Sequence, residues 1–388
     1  MVLKASEFQH LFEEGPTEKI YAGTPVSHLG QAQQGKVIEE WARKVLQEKN
    51  PKAEVLDPEP GTCYNGTRRG WNMTVYDFLL GSRRVEIKSS RMVWSSACRW
   101  YVRFAGIKLA HAERADCAFD DLYLVILTPR GLHLIKHDLV TGVGAEGKSI
   151  EVSGHVIRVY GNRGTDCWED ALDKIIEKLC KRGGCSMVHE QRFSHFDFKE
   201  VATQAVSPGH QAVAGVPMSR MSWGKRGNRI QELGLAIDRR LNPQRDFSFA
   251  KGNRGKSNAP TDWVRGTDRV ELKSCGLTFN RSKNLWRCDF QHIKPDLFDE
   301  LWLAIYTSVG IHYYRSKSGS SLPFSTSGAG TKIHGHKIIF CGPKGELDPL
   351  AALKTIKAKM ASAGCELLAI VEWERGSSMG DDAGFGSR

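Results

Sequence analysis

The sequence predicts an α/β protein made of two tandem copies of one αβββαβ domain, each a mixed central sheet flanked by helices and the two paired as a pseudo-dimer. Three observations carry that expectation. A thirteen-residue signature occurs twice. It runs Asp77-Phe-Leu-Leu-Gly-Ser-Arg-Arg-Val-Glu86-Ile-Lys88-Ser89 and, 185 positions on, Asp262-Trp-Val-Arg-Gly-Thr-Asp-Arg-Val-Glu271-Leu-Lys273-Ser274. Matched residues continue outside it: Gly35, Ile38 and Glu40 with Gly227, Ile230 and Glu232; Trp100, Phe104, Ile107 and Lys108 with Trp286, Phe290, Ile293 and Lys294; Gly131 and His133 with Gly310 and His312. The apolar patterns also follow one order in both halves. A repeat this long is a whole domain, since solenoid units recur every ~20–50 residues.

The elements follow in chain order. Ile38, Trp41, Val45 and Leu46 share one helical face, as do Ile230, Leu233, Ile237 and Leu241. A loop rich in glycine, proline and basic residues comes next. A short apolar segment then ends near the acid, over 74–80 and 259–264, and a tight turn at Gly81 or Gly266 leads into a second strand, 84–89 or 269–274. Alternation there puts Val85 and Ile87 on one face and Glu86 and Lys88 on the other. A third strand covers 100–104 or 286–290, followed by a short helical segment. The strongly apolar runs 122–127 and 301–306 have the length and composition of buried central strands. Helices over 168–179 and 349–360 close each half.

The domain boundaries read 29–188 and 222–370, joined by a linker over 189–221 rich in serine, glycine, proline and alanine. Residues 1–28 form an extension with a short helix near 6–14 capping the first domain, and 371–388 a disordered tail. Lysine and arginine number 55 against 44 aspartate and glutamate, giving a net charge of +11. That surplus favours a polyanionic partner through Coulombic attraction and counterion release. The ten cysteines show no Cys-x-x-Cys pair and no zinc spacing, and they read as free thiols in a reducing compartment. No secretory core opens the chain and no apolar run is long enough for a membrane. The expectation is a soluble intracellular protein, cytoplasmic or nuclear. No Gly-x-x-x-x-Gly-Lys-Ser/Thr loop is present, so ATP-driven translocation is not encoded.

An acid followed nine residues later by Glu-x-Lys is a compact kit for metal-assisted phosphodiester cleavage. Asp77 and Glu86 offer hard carboxylate oxygens from adjacent strands, the carbonyl of Ile87 can supply a third, and Lys88 points to the same side as Glu86. Asp262, Glu271, the Leu272 carbonyl and Lys273 repeat the set. The competing reading of one copy is a surface hairpin whose exposed Glu–Lys pair is worth a fraction of a kcal/mol. Duplication in a matched context favours the catalytic reading.

With the signature strands following an amphipathic helix in both halves, the chain resembles the PD-(D/E)XK nuclease superfamily, the restriction-endonuclease-like fold. One departure is that Tyr76 and Thr261 stand where the superfamily carries proline. The resemblance implies a Mg²⁺-dependent endodeoxyribonuclease, with Mn²⁺ as the substitute ion. It also implies that Glu40 and Glu232 on the first helix help hold metal; a solvated helical glutamate is the alternative. Arg68, Arg69, Lys108, Lys251, Arg254, Lys256 and Lys294 are candidate nucleic-acid contacts, since glycine-rich loops approach closely and arginine grips phosphate. The matched tryptophans read as core, and His133, His155, His312 and His336 as structural. The partner expected is duplex or branched DNA, met by a monomer acting as a pseudo-dimer, with both strands cut in the manner of a homing or restriction enzyme. Junction resolution, RNA cleavage and a non-catalytic nucleic-acid-binding module are the other readings.

Overall fold

A computed structural model describes residues 1–27, 29, 31–58, 63–64, 67–68, 76–107, 119–139, 155–164, 167–193, 212–213, 215–249, 261–317, 322–326 and 335–374. It is a mixed α/β structure that divides into two compact units, one of Gly15–Ala205 and one of Met1–Glu14 with Val206–Arg388. No helix among the described residues is long and apolar enough to cross a membrane.

In the N-terminal unit the main sheet runs, in spatial order, Cys185–Arg192, Gly131–His137, Asp121–Leu127, Arg83–Arg91, Phe78–Leu80 and Val55–Leu56. Arg83–Arg91 and Asp121–Leu127 are parallel, with Glu86 opposite Leu122 and Lys88 opposite Leu124. The other neighbours are antiparallel. Asp121–Leu127 is buried along its whole length, which explains its unbroken apolar run. A second sheet of His155–Tyr160, Trp100–Ile107 and Val93–Trp94 shares a core with Leu122, Leu124 and Ile126 and with Leu172, Ile175 and Leu179 of the helix Trp168–Arg182. The helix Gln31–Lys49 lies against Arg83–Arg91 and buries Ile38, Trp41, Val45 and Leu46, the face expected of it.

The C-terminal unit repeats this order as Cys365–Glu372, Gly310–Lys317, Glu300–Tyr306, Asp268–Gly276, Trp263–Arg265 and Phe247–Phe249. Its parallel pair keeps the register, with Glu271 opposite Leu301 and Lys273 opposite Leu303. The second sheet is Thr278–Asn280, Leu285–Ile293, His336–Lys344 and Phe324–Thr326. The helices Trp223–Leu241 and Pro349–Ser362 take the places of their counterparts.

Several expectations are corrected. The strands around Trp100 and Trp286 are not in the main sheets. Both edges of Arg83–Arg91 and of Asp268–Gly276 are already occupied, one by the hairpin partner and one by the parallel strand. The third strand on that side is instead the short Val55–Leu56 or Phe247–Phe249, within the stretch read as loop. The expected linker begins as strand, because Cys185–Arg192 pairs with Gly131–His137. Its last residues are also built in: Met218 and Met221 are buried in the C-terminal core. The tail likewise starts as strand, Cys365–Glu372, and 375–388 lie outside the described residues. The helical segment expected before Leu301 is a single 3-10 turn, Pro295–Leu297; its counterpart, 108–118, lies outside the described residues.

The largest correction concerns the N-terminus. Residues 1–14 belong to the C-terminal unit, and the N-terminal unit begins at Gly15. Val2–Lys4 adds a parallel strand to Cys365–Glu372, covering an edge that would otherwise present unpaired backbone groups. Leu3, Phe8 and Leu11 enter the same core. Arg220 clamps Glu14 with two hydrogen bonds of 2.7 Å, and Arg240 reaches Glu7 at 2.7 Å.

Candidate active site

Each acid is positioned by its own hairpin. The Asp77 amide donates to the Val85 carbonyl at 2.9 Å and that of Asp262 to Val270 at 3.0 Å, so both residues sit at the hairpin's open end. Their carboxylates then fold across the ladder. Asp77 Oδ2 accepts from the Ile87 amide at 2.6 Å, and Asp262 Oδ2 accepts from the Leu272 amide at 2.7 Å. The acid is thereby fixed beside the residue between Glu and Lys, leaving that residue's carbonyl to the ladder or to a ligand. Strand alternation places Lys88 on the side of Glu86, and the two form an ion pair; Lys273 pairs with Glu271 at 2.5 Å.

The electrostatics are those of carboxylates crowded with too little positive charge. Burial raises the Asp77 carboxyl above its ordinary value, opposed by the Ile87 amide and the Lys88 ammonium. Burial and then the charge of Asp77 raise Glu86. In the C-terminal unit burial and then Glu271 raise Asp262, and burial raises Glu271. The neighbouring cations, Lys88 with Arg43 in one unit and Lys273 with Lys294 in the other, pull the other way but are outweighed by burial.

Helix phase corrects the expected third acid. Glu40 and Glu232 are exposed, and Glu232 is paired with Arg229 at 2.8 Å on its own helix. The residue before each faces the site, as one step turns a helix by about 100°. Burial and then the charge of Asp77 push Glu39 up to about 7. Arg43 holds Glu39 at 3.2 Å and the Asp77 carbonyl at 2.7 Å. At the matching place in the other unit Gln231 donates to Asp262 Oδ1 at 2.7 Å. One site therefore carries Glu39, Asp77 and Glu86, the other an amide and two acids. Positions 40 and 232 are both glutamate, whereas the facing position is Glu39 in one half and Gln231 in the other, so identity between the halves does not mark it. The hydroxyls of Ser89 and Ser274 lie under the matched helix glycines, 3.9 Å and 3.7 Å from where a Cβ of Gly35 or Gly227 would stand.

Around the C-terminal site a cleft of about 830 Å³ is lined by Asp262, Lys273, Gln231, Arg287, Asp289 and Trp223, among others. Lys294 is exposed and its charge acts on Glu271, so it lies near the site. Arg69, Lys108, Lys251, Arg254 and Lys256 lie outside the described residues, as does the side chain of Arg68. Trp100 and Trp286 are core residues, each 1 % exposed. His133 and His312 are buried 3.4 Å from the hydroxyls of Thr128 and Thr307, each bracing a hairpin.

The donor set fits a hard divalent ion. It is all oxygen, and its acids are buried (Glu86) or half-buried (Asp77, Asp262, Glu271). Among the described residues no group of three or more His, Cys, Asp or Glu side chains is placed to hold a metal ion. Mg²⁺ does not require one, since it binds through one or two carboxylates and completes its shell with water and phosphate. No family model matches the chain, and no curated protein and no solved structure matches it.

Proposed function

We propose that this chain is a metal-dependent endonuclease with one centre in each unit, cutting both strands of duplex DNA in the manner of a restriction or homing enzyme. The observation that carries the reading is the duplicated placement of the acids. In two halves whose matched residues extend well beyond the signature, a carboxylate oxygen of the acid sits on the amide between Glu and Lys, at 2.6 Å and 2.7 Å. A surface hairpin has no reason to keep that arrangement twice while burying its carboxylates.

Asp77, Glu86 and the Ile87 carbonyl would hold the ion in one unit; Asp262, Glu271 and the Leu272 carbonyl would hold it in the other. Such an ion, when bound, would supply charge neutralisation at the phosphate and a more acidic water. Lys88 and Lys273, now on their glutamates, are positioned to donate to a phosphate oxygen or to orient the attacking water. Attack at phosphorus breaks one P–O ester bond, and the released oxygen takes a proton. Glu39 adds a third carboxylate to the N-terminal set. The excess of basic residues, +11 overall, supplies attraction to the polyanion.

The test is digestion of duplex DNA, branched DNA and RNA, each with Mg²⁺ and with EDTA, with the new ends mapped. Mg²⁺-dependent cuts on both strands of the duplex are expected. Absence of metal-dependent cleavage on all three substrates refutes the reading.

A further inference from the structure

Trp223 begins the helix Trp223–Leu241 and lines the cleft that holds Asp262 and Lys273. It is 52 % exposed, whereas Trp263, Trp286 and Trp302 of the same unit are each 1 % exposed. Its six-membered ring lies over Gly276, where an added Cβ would stand 3.4 Å from two ring carbons. The Arg226 guanidinium lies 4.9 Å from the ring centroid and 4.6 Å from that of Tyr306. Arg226 is itself 8 % exposed. Its Nη2 donates to the carbonyls of Ser219 and Met221, at 3.4 Å and 3.1 Å, and its Nε has no hydrogen-bond partner among the described residues.

Bracing the loop before the helix does not require this charge. Gly227 matches Gly35, so Arg226 falls opposite Gln34. Gln34 holds the corresponding loop with a neutral amide, donating at 3.1 Å to Val26 and at 3.1 Å to Leu29. Trp223 falls opposite Gln31. The bared ring and the cation against it are therefore additions of the C-terminal unit, placed at the cleft.

We propose that Trp223 is a stacking platform for an unstacked nucleobase, so that the C-terminal centre takes nucleic acid with a single-stranded or displaced nucleotide near the scissile phosphate. This rests on the nuclease reading above and narrows its substrate. A half-exposed indole lining a polar cleft suits a base, because every base presents a π face. A cation on the indole draws electron density from the ring and reduces its repulsion with a second π system. Bases inside a duplex are already stacked on each other, so only a freed one can fill the place. Gly276 lies three residues past Lys273 on one strand, about 10 Å away. That is about three nucleotide steps of 3.4 Å. A duplex with a single-stranded arm meets these conditions directly; an intact duplex meets them only by displacing a base, at the cost of unstacking it.

The test uses the full chain in EDTA, so that binding is read without cleavage. Anisotropy titrations compare a labelled blunt duplex, the same duplex with a single-stranded arm, and that substrate with abasic residues in the arm. Wild type is expected to prefer the armed duplex. Trp223→Ala should weaken that binding about 5- to 150-fold, the range of a base–aromatic stack, and weaken blunt-duplex binding by much less. Trp223→Phe should retain most of the affinity, which shows that loss in the alanine variant is not misfolding. The abasic arm should erase the difference between wild type and Trp223→Ala. Equal binding of the armed duplex by wild type and Trp223→Ala overturns the stacking inference and leaves the nuclease reading standing. Wild type that binds none of the probes and cuts none of them with Mg²⁺ overturns both.

Discussion

Glu39→Gln converts the N-terminal site into the composition of the C-terminal one, and its consequence can be worked from the geometry. Glu39 has a side chain 30 % exposed and a carboxyl pushed from 4.5 to about 7 by burial and by the charge of Asp77. In the unfolded chain it ionises near its ordinary value. Between pH 4.5 and 7 the native state thus holds a proton that the unfolded state has released, and stability falls as pH rises. Above pH 7 the full penalty is present. At about 1.4 kcal/mol per pH unit this is about 3 kcal/mol. Solvent screening at the exposed edge and the lost charge opposite Arg43 reduce it to about 1–2 kcal/mol. Without metal, the variant should melt about 2–8 °C above wild type at pH 8, at about 2–4 °C per kcal/mol for a domain of this size. At pH 4.5 the difference should vanish. With excess Mg²⁺ the order should narrow or reverse, because wild type gains about 2.7 kcal/mol at a hundred times the Kd. Differential scanning calorimetry in EDTA and in Mg²⁺ reads all of these. A variant that melts at or below wild type at pH 8 in EDTA refutes the claim that the site is a carboxylate cluster awaiting a cation.

Metal affinity should also depend on pH in the C-terminal unit. Asp262 is pushed up to about 7 by burial and by Glu271, so a cation must displace a proton below that pH. Calorimetric Mn²⁺ titration of the Asp77→Asn/Glu86→Gln double variant, which leaves only the C-terminal Asp–Glu pair, should show affinity falling as pH drops from 8 to 6; a flat profile counts against ligation by Asp262. Arg265 bridges the fully buried Asp238 at 2.9 Å and Glu300 at 2.8 Å. Arg265→Met strands both acids and should cost about 3–5 kcal/mol by urea denaturation, with a loss under 1 kcal/mol contradicting the burial. Phe8→Ala should cost about 3–5 kcal/mol in the C-terminal unit. Hydrogen exchange should then show faster opening of Cys365–Glu372 with Arg83–Arg91 unaffected, since Phe8 sits in the C-terminal core. Opening of Arg83–Arg91 instead would mean that the N-terminal segment supports the other unit.

What was legible in the sequence was local or repeated. The hairpin of Asp77 and Glu86 showed in strand alternation and a turn glycine, and its twin at Asp262 and Glu271 confirmed the spacing. Buried strands such as Asp121–Leu127 were visible as unbroken apolar runs. Edge assignment was not legible. Trp100–Ile107 and Val55–Leu56 differ in which edge they meet, a property of chain path and not of composition. Val2–Lys4 pairs with Cys365–Glu372 across nearly the whole chain, and three residues carry no periodic signal. Glu39 was missed because identity between the halves pointed to Glu40, while the useful position had diverged to Gln231.

The central claim is that each unit holds a working centre. It is met most directly by incubating supercoiled plasmid with Mg²⁺ and wild type, Lys88→Ala or Lys273→Ala, and resolving the products on a gel. Wild type should give linear DNA and each single variant nicked circles, with the nicks on opposite strands. Linear product from either lysine variant, at the wild-type rate, contradicts one catalytic centre per unit.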